Sequence, residues 1–152
     1  MTNNPNHPKK GSSIKVEPIR QKTAIERIKA VLLSNGKYRD HCLFTLGINT
    51  AFRANELLSL TVGQVAHLEA GDVLELKQSK NKRYRAVTLN RTTVEAIQLY
   101  LERDYRVSTD KPTEGLFYSQ RGGGVLTVGT ITAMLKDWCN GAEMQEIYGM
   151  EL

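Results

Sequence analysis

Thr50-Ala-Phe-Arg-Ala-Asn-Glu-Leu-Leu-Ser-Leu60 is the stretch on which the reading of this chain turns. It closes a long apolar segment, Cys42 to Phe52, that has the composition of a core helix. Arg53 follows directly, Glu56 stands three residues on, and Leu57, Leu58 and Leu60 lie behind it. An unpaired guanidinium inside a core is very costly, so a segment that buries these leucines must aim Arg53 somewhere specific. Glu56 at i+3 can brace it along a helix, and an Arg held that way suits bidentate phosphate clamping. A helix-edge Arg–Glu ion pair with no chemistry is the other reading of the same residues.

Upstream, residues 1–20 carry three prolines, several Asn and Ser and almost no apolar pattern. They read as a flexible basic tail or linker, with a strand of chain laid along DNA as the functional alternative. Thr23 begins a helix, with Glu26 completing a Thr-x-x-Glu capping box. Ile25, Ile28, Val31 and Leu32 recur at helical spacing, and Ser34-Asn35-Gly36 stops the segment. A more buried helix spans Lys37 to Phe52, the Arg53 helix follows, and Thr61-Val-Gly-Gln-Val65 opens a turn.

Beyond Asp72 the apolar period falls from 3.6 to 2. Val73, Leu74 and Leu76, then Tyr84, Ala86, Val87 and Leu89, flank the polar tip Gln78-Ser-Lys-Asn-Lys-Arg83. That pattern predicts an antiparallel β-hairpin. A helix from Thr92 to about Arg106 comes next, then a short extended Leu116-Phe-Tyr118 and a loop at Arg121-Gly-Gly-Gly124. Thr127 caps a last helix that carries Ile131, Met134, Leu135 and Trp138 on one face. Helices, a hairpin and more helices make the fold class α+β, mostly helical with a small antiparallel sheet. The expected division is residues 1–20 as tail or linker and residues 21–152 as the domain or partial domain.

With 152 residues, 40% of them apolar, the chain is one domain or part of one. A net charge of +5 and a pI near 9.3 favour a polyanionic partner. Cys42 and Cys139 lie far apart in apolar helical contexts and read as buried free thiols in a reducing compartment. No apolar run is long enough to span a bilayer, and the N-terminus lacks the apolar stretch of a signal peptide. The expected location is the cytoplasm, with no membrane partner. His7, His41 and His67 are scattered and the two Cys are distant, so no metal-ligand spacing emerges and no cofactor is expected.

The hairpin holds the second strong signal. Lys77, Lys80, Lys82, Arg83 and Arg85 put five cations into nine residues. Such a run serves as a solvated edge that blocks strand pairing. It also serves as a phosphate contact with salt-dependent affinity, or, at one Lys, as a general acid to an oxygen leaving a phosphodiester.

Thr50-x-x-Arg53-x-x-Glu56-Leu-x-x-Leu60 resembles the first box of the tyrosine recombinases, the phage integrase family, usually written T-G-x-R-x-x-E-x-x-x-L, with Ala51 in place of the usual Gly. Lys80-Asn-Lys-Arg-Tyr-Arg-Ala-Val-Thr-Leu89 resembles the family's Lys-bearing β-turn. The match puts the catalytic Lys on Lys80, with Lys82 as the second choice. Gly115-Leu-Phe-Tyr-Ser119, the Gly-rich loop and the Thr127 helix extend the likeness over roughly residues 21–149. The resemblance implies double-stranded DNA as partner and a metal-free mechanism. In it a Tyr hydroxyl attacks a DNA phosphate to give a 3′-phosphotyrosyl link, two arginines clamp the non-bridging oxygens, and the hairpin Lys protonates the departing 5′ oxygen. Preorganised bidentate donors suit the charge that develops there.

The resemblance also calls for a His-x-x-Arg box after the last helix and a later nucleophilic Tyr. The three His are followed three residues on by Lys10, Phe44 and Ala70, and Tyr148 stands before the place of that box. The expectation is therefore the N-terminal half of an integrase catalytic domain that supplies Arg53 and Lys80, supported by Glu56. Lys77, Lys82, Arg83 and Arg85 would contact DNA, and the fragment would be unable to cleave alone. Two alternatives stand beside it. One is a non-catalytic DNA-binding or interaction module that modulates protomers of an intact recombinase. The other is an unrelated basic α+β domain.

Overall fold

A computed structural model describes residues 22–78, 83–119, 124 and 126–139. Six helices and one hairpin make up these residues: α1 (Lys22–Ser34), α2 (Tyr38–Thr50), α3 (Ala54–Leu58), α4 (Val62–Val65), β1 (Val73–Gln78), β2 (Arg83–Thr88), α5 (Arg91–Arg103) and α6 (Val128–Cys139). The predicted α+β class, mostly helical with a two-stranded antiparallel sheet, is what the described residues adopt. The contacts divide it into a unit of residues 29–131 and a second unit formed by the two ends, described here over 22–28 and 132–139. The basic tail lies outside the described residues.

In α1 the buried positions are Ala24, Ile28 and Leu32, a stripe at i, i+4 and i+8. Val31, expected on the buried face, is half exposed, and Thr23 lies inside the helix rather than capping it. The stop behaves as predicted. Gly36 takes φ +71°, and its N–H and that of Lys37 reach back to the carbonyls of Leu33 and Leu32 at 3.0 and 2.9 Å.

Unit 29–131 is built around α2 and α5, which pack against one another. Helix α2 is buried continuously from Asp40 to Leu46. Opposite ends of the two helices meet. At one end Asn90 donates to Asn49 (2.9 Å), and at the other Arg103 donates to Tyr38 (3.3 Å), so the helices run antiparallel. Asn90 also caps α5 by accepting the Thr93 N–H at 2.8 Å. Against this pair lies the extended segment around Leu116 and Phe117. The Tyr100 hydroxyl donates to the Leu116 carbonyl at 2.7 Å, and its ring stacks on Phe117 at 6.1 Å.

Further boundaries differ from the sequence reading: α2 ends at Thr50 rather than Phe52. Helix α5 ends at Arg103, because Asp104 leaves helical geometry and its carboxylate accepts the Arg106 N–H (3.0 Å) and the Tyr118 hydroxyl (2.8 Å). The segment read as a turn holds the short helix α4 (Val62–Val65), with Thr61 as its N-cap. Gln64 Oε1 accepts the Thr61 N–H at 2.8 Å, while the Val62 and Gly63 N–H groups donate to the Glu114 and Pro112 carbonyls at 2.9 and 2.8 Å. An isolated bridge between Thr61 and Gly115 completes this seam. The Thr127 cap is present, its Oγ1 accepting the Thr130 N–H at 3.1 Å.

Candidate functional site

The first half of the site is built where α2 stops. Thr50 donates its hydroxyl to the Leu46 carbonyl (2.8 Å), and the same oxygen accepts the Phe52 N–H (3.2 Å). Ala51 then turns into the left-handed region, φ 61° and ψ 17°, which ends α2. Phe52 is buried, and Arg53 is extended, with φ −74° and ψ 161°, as the residue preceding α3. Leu57 and Leu60 anchor the far side in the core. Burial of each contributes about 1.5–3 kcal/mol, so the backbone on either side of Arg53 is pinned.

Glu56 does not serve Arg53 as the i+3 spacing suggested. Its Oε1 accepts the backbone N–H of Arg53 at 2.7 Å, closing the first turn of α3. A guanidinium has no acceptor to return the bond, so the side chain of Arg53 takes no part in the cap. It is exposed, and among the described residues it has no recorded ion pair.

The other carboxylate oxygen of Glu56 faces the hairpin. Arg85 Nε lies 3.0 Å from Oε2. The Arg85 Nη2 donates to the Ala51 carbonyl at 3.1 Å, and its guanidinium lies 5.6 Å from the centre of the Phe52 ring. Arg85 therefore touches the turn before Arg53 at two residues and the helix after it at a third. The strand register explains why it points there. Arg85 stands opposite Leu76 and Val87 opposite Leu74, so all four belong to one face, on which Leu74 and Leu76 are buried. Glu75 and Ala86 occupy the other face and are exposed.

The remaining predicted residues lie at or beyond the end of this ladder. Lys77 pairs with Tyr84 and Arg83 with Gln78 in the register. Lys80 and Lys82, between β1 and β2 in the sequence, lie outside the described residues. The structure thus links Arg53, Glu56 and Arg85 through the Glu56 carboxylate. Arg85 itself, read in the sequence as a phosphate contact, is engaged with the Arg53 turn. The signal for this was its parity with Val87 and Leu89. Among the described residues, no helix is long and apolar enough to cross a membrane.

Comparison with known proteins bears on the family and the fold. Residues 19–150 match the model of the phage integrase family. The probable integrase/recombinase YoeC of Bacillus subtilis (strain 168) is 35% identical over 104 residues, covering 64% of this chain and 55% of that protein. Among solved structures, XerA recombinase superposes with a TM-score of 0.64 at 19% identity, over 85% of this chain and 46% of that one. XerH site-specific recombinase, in a pre-cleavage complex with its difH substrate, gives a TM-score of 0.58 at 21% identity, over 91% and 38%. The chain spans about half the length of these relatives or less. At these identities the two structures speak for the fold, while the family match extends over most of the sequence: the chain belongs to the phage integrase family of tyrosine recombinases.

Proposed function

We propose that this chain binds double-stranded DNA and supplies the first half of a site-specific recombinase active site, with Arg53 clamping the non-bridging oxygens of the scissile phosphate and Lys80 delivering the proton to the departing 5′ oxygen. The observation that carries the reading is the division of labour at Glu56. The only acid in the motif is engaged by the Arg53 amide and by Arg85, which leaves the Arg53 guanidinium available to an external anion on a fixed backbone. An exposed, preorganised Arg fork fits a phosphate diester in both its planarity and its permanent charge. The basic hairpin adds sequence-independent affinity for the backbone. XerH is seen with its difH substrate, and duplex DNA is the probe for this chain. The 152 residues carry no His-x-x-Arg sequence, so on this reading they bind DNA without forming the phosphotyrosyl link.

Fluorescence anisotropy on a labelled duplex between about 50 and 200 mM salt tests this, because the slope of log K against log[salt] steepens by about 0.9 for each phosphate neutralised. Changing Lys77, Lys80, Lys82 and Arg83 together to Ala should lower the slope by about 2–4, and Arg53→Ala by about 1. Affinity and slope that survive the fourfold change would refute the proposed footprint. A covalent adduct on a nicked suicide duplex would refute the assignment of binding without cleavage.

A further inference from the structure

We infer that Arg85 is a positioning residue for Arg53, a keystone that locks strand β2 of the hairpin to the Arg53 turn instead of contacting DNA itself; the inference rests on the reading of Arg53 as a phosphate ligand. Three groups converge on the one guanidinium. The Glu56 carboxylate lies 3.0 Å from Nε, the Ala51 carbonyl accepts from Nη2 at 3.1 Å, and the Phe52 ring centre is 5.6 Å away. Each belongs to the segment that sets the direction of Arg53. Glu56 is shared, since its second oxygen holds the Arg53 amide at 2.7 Å. One carboxylate thus ties the amide of the clamp residue to the strand that leads from the basic tip.

The chemistry requires an Arg. Donating from one nitrogen to a carbonyl while another lies in ion-pair range of a carboxylate, flat against a ring, suits a planar, delocalised cation. An ammonium is a point donor on a flexible stem and cannot reproduce that division. The Arg85 side chain is 38% exposed and that of Glu56 12%, so the pair is partly shielded but open to solvent on one edge. Two of its nitrogens are committed to these partners, so a phosphate could be met only from the open edge. The keystone also holds the backbone from which the clamp residue extends. Misplacement by about 1 Å at such a site costs on the order of 100-fold.

The test combines amide hydrogen exchange with a double-mutant cycle on the full 152-residue chain. Arg85→Ala and Arg85→Lys should both raise exchange of the Arg53 and Leu57 amides by about tenfold relative to amides in the middle of α5, which report global opening. On duplex DNA, Arg85→Ala should weaken binding in the parent but have no further effect in an Arg53→Ala background, with the salt slope unchanged by the Arg85 substitution. Additive losses together with a slope lowered by about 1 would make Arg85 a phosphate ligand and overturn the inference. Rescue by Arg85→Lys would overturn it as well. If Arg53→Ala itself leaves DNA binding intact, the DNA reading of Arg53 fails. The exchange data then decide the keystone alone: raised exchange at Arg53 and Leu57 upholds it, and unchanged exchange rejects it.

Discussion

Ala51 offers a direct test of the turn that aims Arg53. It is a non-glycine residue at φ 61° among the described residues, and an L-residue in the left-handed region costs about 1–2 kcal/mol because Cβ crowds its own backbone. Replacing it with Gly removes that cost. The substitution also gives the unfolded chain more freedom, which offsets about 0.4–1 kcal/mol. Ala51 is exposed, so deleting its methyl forfeits no buried contact. Its carbonyl, which accepts from Arg85 at 3.1 Å, is unchanged. The net expectation is a gain of about 0.5–1 kcal/mol, or roughly 1–4 °C in Tm for a chain of this size. Urea denaturation followed by circular dichroism, with m held constant, gives the free energy. Two comparators fix the sign. Ala51→Val should lose stability, since a β-branched residue is a true outlier at this φ. Ala30→Gly, at an exposed position inside α1, should cost about 0.5–1 kcal/mol. An Ala51→Gly change that costs as much as Ala30→Gly, or an Ala51→Val change that costs nothing, would mean that the turn before Arg53 is not left-handed.

Gly63→Ala should destabilise by about 1–3 kcal/mol, because a Cβ there would stand 2.9 Å from Pro112 Cβ and 3.0 Å from its carbonyl oxygen. Gly47→Ala, whose nearest neighbour would be Leu57 Cδ1 at 3.9 Å, should be neutral or gain about 0.5–1 kcal/mol in the same denaturation assay. Tyr100→Phe leaves the buried Leu116 carbonyl without its 2.7 Å donor and should cost about 1–3 kcal/mol. Burial pushes the Cys42 thiol well above its ordinary range. In a Cys139→Ser background it should therefore react with a thiol reagent such as DTNB only on the timescale of unfolding at neutral pH.

Much of the fold was legible because its signals are local. Ser34-Asn35-Gly36 stops α1 by a left-handed Gly, Thr127 caps α6 through its own hydroxyl, and alternation marks both strands. Each of these needs only a few neighbouring residues to act. The short helix α4 escaped because four residues are too few to show a 3.6-residue period, although its Thr61-x-x-Gln64 cap was in plain view. The burial of α1 shifted from Val31 to Ala24 because Ala is small and apolar periodicity weights large residues.

The candidate site was legible in its residues but not in its wiring, and Glu56 shows why. A spacing of three residues has two physical meanings. Within a helix it places two side chains on one face, where Arg and Glu can pair. Across a helix start it brings an acid back to the amide of the residue before the first turn. The two are told apart by whether the first residue is helical, and that depends on where α2 ends. Here the left-handed Ala51 ends α2, Phe52 enters the core, and Arg53 is left extended just outside α3. Its side chain therefore does not share a helical face with Glu56, whatever their charges. The carboxylate, already holding one amide, takes its cation from a strand 29 residues further along (Glu56 to Arg85). Such a partner is fixed by how the hairpin returns to the α2–α3 junction, a tertiary fact to which the i+3 pattern carries no reference. The parity of Arg85 with Val87 and Leu89 is the one local trace of it. A cation on the buried parity of a strand needs an acid, and in this chain that acid is also the one that sets the Arg53 backbone.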